Sequence, residues 1–278
     1  MRLNIEHRTR YTYSEPVRFV VQSLKLTPSR HEGQQPLVWS VSAEGCKIGG
    51  AFKDGYGDEV LTLTCPEPRA EVDVLVKGEV ITHDTAGVLR GHAEQIKPRA
   101  FLRTTDLTTP DSRIRDLALS VAGQQNATND GQPGTLDLAH ALVDAIADAI
   151  AYVPGTTHAR TTAAEALEAG EGVCQDHAHV MISAARILGL PARYVSGYLF
   201  TDASGATHEA AHGWAEVSLD GLGWVGFDIS NRCSPTDGYI RLGSGLDAHD
   251  AAPIKGVHTG VADEEMSVSL TVQEAQQQ

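Results

Sequence analysis

The chain is predicted to be α+β: a small β-sandwich over residues 1–95, then a core over residues 96–278 whose helices pack on an antiparallel sheet that includes the C-terminal strands. Three observations predict this. Short β-branched and aromatic runs, broken by Gly and Pro, fill residues 1–82. Apolar residues at helical spacing are confined to residues 109–188. Strand-like alternation then resumes at Ala192 and holds through three runs.

In order along the chain, Arg10 to Tyr13, Val17 to Leu26, Val38 to Ser42, Val60 to Thr64 and Val72 to Val76 read as strands, with a turn at Tyr56-Gly57-Asp58-Glu59. Periodicity fades from His83 to Thr108, around Pro98, and the boundary is placed there. Thr109 and Pro110 read as the N-cap and first residue of a helix carrying Ile114, Leu117 and Leu119. Gln124 to Gly134 reads as a polar loop, and Thr135 caps an amphipathic helix with Leu138, Leu142, Ala145, Ile146 and Ile150. Thr162-Ala163-Ala164-Glu165 has capping-box spacing. A further helix carries Met181, Ala184, Ala185 and Leu188 and stops at Gly189-Leu190-Pro191. Strands at 192–200, 211–219 and 223–229 follow, and Tyr239 to Leu242 and Ser267 to Val272 are expected in the same sheet. Gln276-Gln277-Gln278 is expected to be disordered.

The formal charge of −14 argues against nucleic-acid binding, which needs clustered Lys and Arg. No run approaches the roughly 20 apolar residues of a membrane-spanning helix. The N-terminus enters a strand pattern directly, without a signal-peptide apolar region, so a cytoplasmic location is expected. Four cysteines do not make a disulfide scaffold. Cys46, Cys65 and Cys233 read most simply as separate buried or partly buried thiols, a Cys46–Cys65 bridge being disfavoured in a reducing compartment.

Cys174 is the exception. It lies in Gly170-Glu171-Gly172-Val173-Cys174-Gln175-Asp176-His177, a loose loop opening into a helix. Unpaired N–H groups and the positive dipole end at a helix start favour a thiolate. That effect contributes only about 0.3–1 kcal/mol, less than one pKa unit, so a histidine partner is needed. His212-Gly213-Trp214-Ala215-Glu216-Val217-Ser218 and Gly223-Trp224-Val225-Gly226-Phe227-Asp228 read as two strands of a hairpin around Asp220-Gly221. A two-residue turn would set His212 and Asp228 on opposite faces. A three-residue loop, Leu219-Asp220-Gly221, puts them on one face and directly opposite, with Gly221 as the left-handed residue. The odd-length loop is therefore expected, with Asp228 orienting His212 toward Cys174.

Other readings stand beside this one. His177 and His179 are two apart on the helix of Cys174 and cannot share a face; core or surface roles suit them better. His208 shares parity with His212 but precedes the confident strand. Asp176 reads as a helix-start carboxylate, and Trp214 and Trp224 as core or cleft walls. A zinc protein using Cys174, His177 or His179, and His208 or His212 is a second class, and a non-catalytic binding module a third. The thiol reading requires no metal and no cofactor; its partners would be a peptide or protein amide and water or an amine as acceptor.

These residues resemble the bacterial transglutaminase-like proteins of the papain-like thiol enzyme superfamily. The likeness rests on the Gly-Val-Cys-Gln-Asp run at Cys174, Gly189-Leu190-Pro191-Ala192-Arg193-Tyr194-Val195-Ser196-Gly197-Tyr198, His212-Gly213-Trp214, Gly223 to Asp228, and Lys255-Gly256-Val257. The resemblance implies an N-terminal β-rich domain, a papain-like transglutaminase core, and Cys174 as nucleophile, His212 as base and Asp228 as orienting acid. Gly213 stands where the family usually has Ala, and Ile229-Ser230-Asn231 replaces Pro-Thr-Asn.

Overall fold

The first strand, β1 (Arg2–Leu24), belongs to two layers. In the computed structural model, which describes residues 1–128, 134–200 and 211–275, its pairing breaks between Thr12 and Val17, and Phe19 takes a left-handed φ of 51°. After it come β2 (Gln34–Ala43), β3 (Lys47–Ile48), β4 (Phe52–Lys53), β5 (Glu59–Cys65) and β6 (Arg69–Thr82). The first half of β1 pairs with β6, and the second half pairs with β5. Between the halves lies a core that includes Tyr11, Val20, Leu24, Leu63, Val72 and Val76.

The helices are α1 (Ser112–Thr128), α2 (Thr135–Ala149), α3 (Ala163–Ala169) and α4 (Cys174–Ile187), with the short parallel pair β7 (Ala151–Tyr152) and β8 (Glu171–Gly172) between them. Asp111, not Thr109, starts α1: its Oδ1 accepts from the Ile114 N–H at 3.0 Å, while the Thr109 hydroxyl donates back to Thr105. The helix also runs into the stretch expected to be loop. Thr162 and Glu165 form the capping box of α3. Residues 177–186 of α4 are buried all round, because the helix is central between the other helices and the sheet.

That sheet runs β11 (Gly223–Phe227), β10 (Ala211–Leu219), β9 (Ala192–Leu199), β12 (Tyr239–Gly245), antiparallel throughout. The α+β architecture is as expected, with one correction to the layout. β13 (Ile254–Thr259) and β14 (Glu264–Glu274) join β1 in the N-terminal layers rather than the core sheet. Alternation identified a strand at Ser267 to Val272 but could not name its partner. In the observed register Met266, Val268, Leu270 and Val272 lie opposite Tyr11, Thr9, His7 and Ile5 of β1; Leu270 and Val272 are partly buried there, while Met266 and Val268 stay exposed.

A second correction concerns cysteine. Cys46 and Cys65 form a disulfide, with Cα atoms 4.3 Å apart. Lys47 pairs with Thr64, so the two cysteines occupy the next facing position of the same antiparallel ladder. Bridges of this kind persist mainly in oxidising compartments, and a reducing cytoplasm would hold the same thiols open. No helix among the described residues is long and apolar enough to cross a membrane. The C-terminal glutamines 276–278 lie outside the described residues.

Between the layers sits a buried set of charges. Arg241 donates to Asp58 at 2.8 Å and to Glu216 at 2.9 Å, and Arg193 donates to Glu216 at 2.7 Å and also pairs with Glu94. Burial penalises the Glu216 carboxylate, yet the Arg241 and Arg193 charges outweigh it and bring its pKa to about 2. Below this layer Leu3, Ile5 and Val80 pack against Tyr198, Ile240 and Leu242, joining the N-terminal strands to the core sheet.

Candidate active site

The start of α4 is shaped by a local loop-back. Asp176 Oδ2 accepts from the Val173 N–H at 2.8 Å and from the Thr157 hydroxyl at 2.6 Å. A Cβ on Gly172 would meet the Asp176 carboxylate at 2.8 Å, so glycine is required there for this closure. Asp176 thus acts as a capping group, more than through the dipole alone. Cys174 is the first residue of the helix, partly exposed, and its own N–H is one of the orphan donors of a first turn.

His212 stands near the start of β10, with its side chain only 7% exposed. Its Nε2 lies 2.6 Å from Asp228 Oδ2, and the Cys174 thiol is near enough to the same imidazole to act with Asp228 in raising its pKa. The structure therefore brings together all three residues singled out by the hairpin. The register is corrected, however. Leu219 pairs with Gly223, so the loop is Asp220-Gly221-Leu222, again three residues long, with Gly221 at φ 76°. His212 and Asp228 are consequently diagonal rather than directly opposite. A shift by two residues preserves which face each side chain occupies, so alternation alone cannot distinguish the two registers.

Asp228 lies beyond the end of β11. It exchanges backbone hydrogen bonds with Cys233, closing a tight turn that returns donors to its own carboxylate. Ser230 Oγ donates to Oδ1 at 2.8 Å, and Asn231 donates its N–H to Oδ1 at 3.2 Å and its Nδ2 to Oδ2 at 2.7 Å. The Ser-Asn variation after the acid therefore keeps the donors that hold it. Tyr239 donates a further bond to Oδ2 at 2.7 Å.

The two charged partners set each other's protonation. Burial pushes the His212 imidazolium down, but the Asp228 hydrogen bond, then that of Cys174, and both charges outweigh it and raise its pKa to about 10. Burial pushes Asp228 up, but His212, Asn231 and Tyr239 bring it down to about 2. A carboxyl lowered from its unfolded value stabilises the fold above that value and loses the contribution as pH falls. The Tm difference between the wild type and Asp228→Asn is therefore expected to be full above about pH 4 and to shrink toward pH 2. Thermal scans across that window check it; a difference that grew on acidification would contradict the assignment.

Gly213 has its own explanation. A Cβ there would lie 1.9 Å from the Tyr194 hydroxyl oxygen, so the phenol fills the space that alanine would occupy. Burial holds that phenol neutral, and the charges of Cys174, Asp176 and Asp228 act in the same direction.

The competing histidines are engaged elsewhere. His177 places its ring nitrogens 2.9 and 3.0 Å from the carbonyls of Val173 and Ile150. His179 is buried and accepts from the Ala248 N–H at 3.0 Å. His208 lies outside the described residues. Among the described residues no group of three His, Cys, Asp or Glu is arranged to hold a metal ion. Sequence reasoning missed Tyr239 and Asn231. Asp228-Ile229-Ser230-Asn231 carries turn-forming residues that could have indicated Asn231, but nothing local pointed to Tyr239.

Residues 121–229 match the transglutaminase-like superfamily, and residues 3–81 match the bacterial transglutaminase-like N-terminal region. An uncharacterized protein of Mycobacterium leprae is 27% identical over 278 residues, covering 98% of each chain. One from Mycobacterium tuberculosis is 27% identical over 291 residues, covering 98% of this chain and 92% of its own. The crystal structure of a candidate cysteine protease from Cytophaga hutchinsonii matches with a TM-score of 0.72 at 22% identity, covering 100% of this chain and 92% of that one. That last likeness shows the fold.

Proposed function

Because the chain belongs to the transglutaminase-like superfamily and carries the bacterial transglutaminase-like N-terminal region, we propose that it is a thiol-dependent acyl-transfer enzyme acting on amide bonds through Cys174, His212 and Asp228. One observation carries the reading: a single buried imidazole lies 2.6 Å from a carboxylate oxygen and close beside a cysteine at a helix start.

In this reading the Cys174 sulfur attacks the amide carbonyl carbon, and the carbonyl electron pair moves to oxygen. The Cys174 backbone N–H is the proposed donor to that oxyanion. His212, protonated and oriented by Asp228, gives its proton to the departing nitrogen; the C–N bond breaks and a thioester remains. Water or an amine then attacks the thioester while His212 accepts its proton, and the sulfur leaves. Peptide or protein amides are the proposed substrates, with hydrolysis and amine transfer as the two outcomes of the second step.

The test is incubation with a glutamine-containing peptide, with and without a primary amine, followed by mass spectrometry. Wild type should yield deamidated, cleaved or amine-linked product, and Cys174→Ala none. Equal product from both proteins would overturn the proposal.

A further inference from the structure

Asp228 follows β11 at one edge of the core sheet, and Tyr239 opens β12 at the other edge. The bond between them spans the two central strands, β10 and β9. It ends on Asp228 Oδ2, the same oxygen that lies 2.6 Å from His212 Nε2. Ser230 and Asn231 hold the carboxylate only within its own turn. Tyr239 holds it against the far side of the sheet.

The ring makes a second set of contacts. Its centroid lies 6.0 Å from that of His212 and 5.6 Å from that of Trp214, the latter edge-on at 86°. Trp214 is itself stacked 6.4 Å from the imidazole. His212 is thus bordered by two aromatic rings as well as bonded at its Nε2 edge, which restricts rotation about its χ angles. Tyr239 is in turn anchored: it pairs with Leu199, and two residues on, Arg241 is tied to Gln34, Asp58 and Glu216. Cys233 Sγ lies 3.4 Å from the phenolic oxygen, and with the phenolic hydrogen on Asp228 its thiol is the donor in that contact.

We propose that Tyr239 is a positioning residue of the site: its hydroxyl orients the Asp228 carboxylate, and its ring limits the imidazole, so that His212 presents its other nitrogen to Cys174. This rests on the acyl-transfer reading above. A phenylalanine would fill the same volume and make the same ring contacts, so the hydroxyl is the part that a packing role does not explain.

The experiment is a double-mutant cycle read at Cys174. The rate of Cys174 alkylation by iodoacetamide is measured in wild type, Tyr239→Phe, Asp228→Ala and the double variant, with Tm recorded for each. Tyr239→Phe should slow alkylation roughly 10-fold in the wild-type background, within the range for partners in one hydrogen-bond network. In the Asp228→Ala background the same change should do nothing further. Equal slowing in both backgrounds would overturn the proposal, since the hydroxyl would then act independently of Asp228. An unchanged rate in Tyr239→Phe alone, with Asp228→Ala slow, would remove Tyr239 and leave the acyl-transfer reading intact. An unchanged rate in Asp228→Ala would bring down the role of the acid and that of Tyr239 together.

Discussion

Replacing His212 by alanine is expected to lower acyl-enzyme formation at Cys174 by roughly 10²–10⁴-fold, the range for a positioned acid–base group. In the proposed mechanism the imidazole, bonded to Asp228 and close to the Cys174 thiol, is the proton donor for the leaving amine, so its removal would take away that donor and its link to Asp228. Asp228→Asn should act differently. It keeps the shape but replaces an anionic acceptor with an amide, removing the charge that supports the imidazolium. Because the Asp228 hydrogen bond is the strongest influence raising His212, the alkaline limb of kcat/KM should move to lower pH in that variant. The pH dependence of the steady-state rate on a glutamine peptide checks both expectations. An alkaline limb that stayed in place in Asp228→Asn would show that the carboxylate does not set the charge of His212.

The largest expected effect on stability lies away from the thiol. Arg241→Met should destabilise the fold by about 3–5 kcal/mol, because it strands buried carboxylates rather than merely deleting a contact. Asp58 is fully buried and would keep only neutral donors from Ser29 and Ser244 among its closest partners. Glu216 would retain Arg193 alone. For a chain of this length that corresponds to a fall in Tm of roughly 10 °C, readable by calorimetry. Arg113, whose pairs with Asp111 and Glu168 lie at the surface, is the control: Arg113→Ala should barely change Tm. If the two variants shifted Tm equally, the buried charges would not be what holds the layers together.

The two expectations share a physical origin, since His212, Glu216 and Asp228 all project from the same face of the β10–β11 hairpin. One end of that face meets the thiol, and the other meets the charged layer under the N-terminal strands. Thr82, at the end of β6, donates to the Asp237 carbonyl two residues before Tyr239. The N-terminal strands therefore bear on the region that supports Asp228.

Local patterning by itself determined much of this protein. The period of 3.6 residues located α2 and α4 and put Cys174 at a helix start, and the capping box located α3, whereas α2 is preceded by Gly134 rather than capped by Thr135; the period of two residues put His212 and Asp228 on one face of a hairpin. These features depend on residues a few positions apart, so they are legible in a single sequence. Tertiary structure alone decided the rest. Alternation does not name a partner strand, and only the packed structure pairs β14 with β1, where Leu270 and Val272 pack beside Leu3 and Ile5. A shift by two residues leaves faces unchanged, so the diagonal placement of His212 and Asp228 was set by the turn and the flanking packing. The Cys46–Cys65 bridge, the Arg241 charge layer and the reach of Tyr239 to Asp228 join residues far apart in the chain. Such contacts form only where the packed sheets bring them within bonding distance, and no local periodicity encodes that distance.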